Sequence, residues 1–103
     1  MSNPDMEKAR REFIRWSILL TLNNGRPVAC HESVLLSVMQ TVYSDATAIE
    51  TRRELGYLEG RDLVRITRSP SGPWRAELTR HGVDIAEYTI DCEPGIARPV
   101  KYW

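Results

Sequence analysis

Apolar and polar positions alternate with a clear change of period along the chain. From residue 5 to about 22, Ala9, Phe13, Trp16 and Leu20 recur at helical spacing, with Ile14, Ile18 and Leu19 widening the stripe. Pro4 and Asp5 suit a helix start, and Asn23-Asn24-Gly25 suits a stop with a left-handed cap. Residues 26–30 read as an extended link or a short edge strand, where Pro27 is tolerated. A second helix is expected from about 32 to 43, with Val34, Leu35, Val38, Met39 and Val42 on its apolar face. After a turn at Ser44-Asp45, a third helix covers 47–59. Thr47 and Glu50 form its capping box, and Ala48, Leu55, Leu58 and, as a further candidate, Ile49 face inward.

The period then drops to two. Residues 63–68 and 74–78 read as strands. Trp74, Ala76 and Leu78 alternate with Arg75 and Glu77, and Ser69-Pro-Ser-Gly-Pro73 is the loop between. Thr79 caps a short fourth helix carrying Val83, Ile85 and Ala86, and residues 89–103 form an extended, proline-containing tail. The expected fold is mainly α with a small β-wing (α+β): a winged helix-turn-helix with a three-helix core, a two- or three-stranded antiparallel sheet, a short fourth helix and the tail. One domain spans 1–88, followed by the tail at 89–103.

Composition narrows the function classes. The 103 residues are 42% hydrophobic and 27% charged, ordinary for a globular chain. Net charge is zero, but residues 52–80 hold seven arginines against four acids. Twelve of the fourteen basic residues are arginine, whose planar fork suits phosphate. Cys30 and Cys92 form no CxxC pair and are expected as free thiols, with a bridge between them left open. No apolar run approaches the roughly 18 residues of a membrane span, and the polar, acidic N-terminus is unlike a secretory signal, so a cytoplasmic protein is expected. No HExxH, P-loop, G-x-G-x-x-G or G-x-S-x-G occurs. His31 and His81 lack metal-ligand spacing, and no enzyme, metal or cofactor is expected.

Several segments resemble the small winged-helix proteins encoded by Mu-like phages and prophages. They are His31-Glu-Ser-Val-Leu-Leu, Arg53-Glu-Leu-Gly-Tyr-Leu-Glu followed by Leu63-Val, Leu78-Thr-Arg-His-Gly82-Val-Asp-Ile-Ala86 and Pro94-Gly-Ile-Ala-Arg-Pro99. The resemblance spans about 13–99 and implies a phage-type DNA-binding or regulatory protein in a bacterial cytoplasm. It transfers no catalytic residues.

In a helix-turn-helix the second helix of the motif enters the major groove. Thr47, Thr51, Arg52, Arg53 and Tyr57 of the third helix are therefore the candidate DNA contacts, with Glu50 and Glu54 expected among them as opposing charge. Arg65, Arg68 and Arg75 are the candidates on the wing. The competing reading is a solvated face of Glu–Arg pairs, as on a non-enzymatic adaptor or inhibitor that binds a phage or host protein. Tyr102 and Trp103 are the candidate partner contacts, since aromatics anchor interfaces. A homodimer through the first helix or the tail would match a two-fold operator.

Overall fold

The computed structural model describes residues 3–101. Its elements are α1 (Pro4–Asn24), β1 (Cys30–His31), α2 (Glu32–Gln40), α3 (Ala48–Gly60), β2 (Val64–Arg68), β3 (Trp74–Leu78) and α4 (Arg80–Ala86). The result is an α+β globule of four helices and one antiparallel sheet in the order β1-β3-β2. In register, Ile66 faces Ala76, Thr67 faces Arg75 and Cys30 faces Ala76. Cross-strand partners share a face. Val64, Ile66, Ala76 and Leu78 therefore turn to the core, and Arg65, Thr67, Arg75, Glu77 and His31 to the outer face.

Local chemistry sets the helix ends. Asn3 caps α1 by accepting from Asp5 N, with Pro4 in the first turn. Thr47 accepts from Glu50 N at 3.1 Å, and Thr79 accepts from Gly82 N at 3.0 Å. The cap after α1 differs from expectation. Gly25 is right-handed (φ −87°), because its N–H continues the helix to Thr21 O at 3.1 Å. α2 ends at Gln40 and not near 43, where Thr41 turns its hydroxyl onto Val38 O at 2.6 Å.

The core joins Ile14, Ile18, Leu19 and Leu22 of α1 to Leu35, Met39, Leu55, Leu58, Leu63 and Ile85. Each such side chain contributes about 1.5–3 kcal/mol by leaving water. Three expected faces are shifted. Ala9, Phe13 and Leu20 lie on the exposed side of α1, so the widening residues are its true core stripe. Val34 and Val42 are exposed, leaving Leu35 and Met39 as the buried positions of α2. In α3, Ala48 and Ile49 face solvent, and the inward stripe is Thr51, Glu54, Leu55 and Leu58.

The segment after α4 has no helix or strand through residue 101, yet it is fastened along its length. Ile96 enters the core, Ala97 N donates to Glu12 O at 3.1 Å, and the Tyr88 hydroxyl donates to Pro99 O at 2.8 Å. The Arg98 guanidinium donates to Ile85 O and Ile90 O at 3.1 and 2.9 Å. Gly95 makes this path passable. Its φ of +104° disfavours other residues, and a Cβ there would collide with the Tyr57 hydroxyl.

Candidate nucleic-acid interface

The rotation of α3 decides what its outer surface offers. Glu50 swings toward α1, where Arg10 donates to its two oxygens at 2.8 and 2.7 Å. Glu54 is buried and accepts from Arg15 Nε at 2.9 Å. Both carboxylates expected on the exposed surface are thereby withdrawn from it. The positions left outward are Ile49, Arg52, Arg53, Gly56, Glu59 and Gly60, at the i, i+3, i+4, i+7, i+10 and i+11 spacing of one helix face. A Cβ at Gly56 or Gly60 would meet nothing within 4 Å, so this end of the face is low and open. It is a shape that another backbone can approach closely.

Arg52 ties this helix to the hairpin. Its fork donates to both oxygens of Glu32 at 2.6 Å, and Nη2 also donates to Gly72 O at 2.7 Å. Arg68 donates to both oxygens of Glu59 at 3.0 and 2.9 Å. The two guanidiniums each stack 4.5 Å from the centroid of Trp74. These charge-assisted bonds hold the carboxyls of Glu32 and Glu59 below the ordinary carboxylate range. Residues 69–73 of the hairpin loop are thus fixed relative to α3 by Arg52, with Ser71 N donating to Ser69 Oγ inside the turn.

The candidate residues fall into three groups. Arg52, Arg53 and Arg68 lie together on the α3 side of the sheet. Arg53 is 64% exposed, and its one ion pair among the described residues is with the buried Glu54 at 3.6 Å. Thr47 sits at the exposed start of the same helix, with its hydroxyl oxygen occupied as the cap. Arg65 and Arg75 lie on the outer sheet face. Arg65 pairs with Glu77 at 3.1 Å, whereas the Arg75 side chain makes no hydrogen bond or ion pair among the described residues. The hairpin arginines therefore divide between its two faces and do not form a single surface.

Thr51 and Tyr57 leave the candidate set. Thr51 is 1% exposed, and its hydroxyl donates to Thr47 O at 3.0 Å, so it has nothing to offer a ligand. Tyr57 turns toward the C-terminal segment, its ring 3.5 Å from the Arg15 guanidinium and 5.0 Å from that of Arg61. Tyr102 and Trp103 lie outside the described residues.

Ile49, Gly56, Gly60 and Trp74 complete the face and were not among the sequence candidates. The signal for the glycines was their spacing from Arg52 and Arg53. For Trp74 the signal was Arg68, six residues earlier and opposite it across the hairpin, whereas Arg52, 22 residues away, left none. Cys30 and Cys92 are free thiols, both half-buried, and burial pushes both thiol pKa values up. Among the described residues, no helix is long and apolar enough to cross a membrane. The chain matches no family model, no curated protein and no solved structure.

Proposed function

We propose that this chain is a winged-helix DNA-binding protein of the kind encoded by Mu-like phages and prophages, acting as a transcriptional regulator in the host cytoplasm. It works by stoichiometric binding and not by catalysis. α3 lies in the major groove, with Arg53 reaching a base edge or phosphate. The hairpin sets Arg68 and residues 69–73 on the flanking backbone, while Arg75, on the opposite face of the sheet, stands outside this contact. The observation that carries this reading is the withdrawal of Glu50 and Glu54 from the outer face of α3. A carboxylate at either position would repel phosphate; the face left behind is low, its exposed Glu59 is held by Arg68, and Arg53 is its freest charge.

One observation favours the adaptor reading. Arg52, Arg65 and Arg68 each already hold a carboxylate, so the surplus positive charge is carried by Arg53 and Arg75. Such a surface suits a protein partner of mixed charge. The two readings separate in a salt series with mixed duplex fragments, followed by fluorescence anisotropy. DNA binding through about three phosphates loses roughly 40-fold in affinity between 50 and 200 mM salt. Arg53→Ala weakens it by about tenfold or more. A folded parent that binds no duplex at low salt refutes the DNA reading.

A further inference from the structure

α1 is apolar on two opposite sides. Ile14, Ile18 and Leu22 enter the core, while Met6, Phe13 and Leu20 are 70%, 38% and 41% exposed. The exposed three are spaced seven residues apart, so they stay nearly in line over about 21 Å of helix. Ala9 and Ser17, small residues, lie between them on the same side. A helix with apolar stripes on both sides has two surfaces to cover; the fold covers one and reaches the other only where Tyr43 meets Phe13 edge-on, centroids 6.1 Å apart.

We infer that a second copy of this chain covers the other, through an antiparallel α1–α1 contact with its two-fold axis at Phe13. The spacing is self-complementary about that residue. Phe13 meets Phe13 of the second copy, Met6 meets Leu20, and Ala9 meets Ser17, letting the helices approach closely. Leu20 of the second copy rests on the apolar Met6 and Ala9 edge of a groove whose far side carries Arg10, Asp45, Glu50 and Arg53.

Charge selects this orientation. Residues 5–12 hold Asp5, Glu7, Lys8, Arg10, Arg11 and Glu12, whereas residues 16–24 hold no charge. Antiparallel packing sets each charged half against an uncharged one and opposes the helix dipoles. Parallel packing would set the charged halves side by side, with Arg10 of each copy flanking the seam. The stripe is narrow, smaller than a standard interface, so the dimer belongs in the micromolar range. The inference stands on α1 alone and does not require DNA binding. If both hold, the dimer presents two copies of α3 to a two-fold operator.

Sedimentation velocity on the full chain, from micromolar to near-millimolar concentration, tests the pairing. The expected mass rises from one chain to two. Phe13→Glu and Phe13→Lys each stay monomeric at every concentration, and mixing them restores the dimer, because position 13 meets itself. Circular dichroism checks that each is folded. Should both Phe13 variants fail to fold, Leu20→Lys is monomeric and Met6→Glu/Leu20→Lys recovers the dimer. A parent monomeric throughout overturns the inference. So does a dimer that survives Phe13→Glu or Leu20→Lys, or a complementary pair that fails to restore it.

Discussion

Replacing Arg15 by Met would remove the one strong partner of a buried carboxylate. Glu54 is 1% exposed at its side chain, and Arg15 is 12% exposed. One Glu54 oxygen accepts from Arg15 Nε at 2.9 Å, and the other has no hydrogen-bond partner among the described residues. Among the described residues the other cation paired with Glu54 is Arg53, at 3.6 Å and 64% exposed, which is too hydrated to substitute. Arg15 also donates to Gly95 O at 2.9 Å and stacks on Tyr57, so its loss loosens the C-terminal segment. Stranding a buried charge costs about 3–5 kcal/mol, a large share of the roughly 5–15 kcal/mol that holds a domain folded. For a chain of this size the melting temperature should fall by about 12 °C or more. Urea unfolding followed by the fluorescence of buried Trp16 measures the change. The double variant Arg15→Met/Glu54→Leu removes both charges. It should return to within about 2 kcal/mol of the parent, with the remainder due to the unpaired Gly95 carbonyl. A single variant that loses less than about 1 kcal/mol would refute this account of the α1–α3 contact, as would a double variant worse than the single.

The other expectations are briefer. The carboxyls of Glu32 and Glu59 titrate below their ordinary 4.5 in the fold, so their contribution is complete above that pH and is lost as the pH falls through the depressed values. Acid unfolding of Glu32→Gln should therefore be shallower below pH 4.5 than that of the parent. Gly82→Ala drives a Cβ into the Leu63 carbonyl, a backbone atom that cannot swing away; a loss of about 1–3 kcal/mol in denaturant melts is expected. Cys30 and Cys92, with thiols pushed up by burial, should react with a thiol reagent at pH 7 more slowly than a free cysteine, and denaturant should remove the difference.

What the sequence made legible was local. The limits of β3 follow from the alternation of Trp74, Ala76 and Leu78 with Arg75 and Glu77, and the structure gives the same strand. Thr47 and Thr79 were readable as caps because the N–H groups they bond lie three residues away. The facing of α3 was not readable. Burying Glu54 is tolerable only because Arg15, 39 residues earlier, supplies its counter-charge, and no local pattern records that pairing. Tyr57 was misplaced for the same reason, since what it packs on is Arg15 and the Gly95 turn. Phe13 and Leu20 read as core because α1 is apolar on two sides, and periodicity alone does not say which side the domain takes.

The most direct measurement is an amide chemical-shift map of the folded protein titrated with duplex DNA. Changes confined to the outer face of α3, at Ile49, Arg52, Arg53, Gly56 and Gly60, and to residues 68–75 of the hairpin are the expected result. They should fade as salt is raised. A map without perturbation at low salt, or one centred on α4 or the outer surface of α1 and silent at Arg53, would contradict the account.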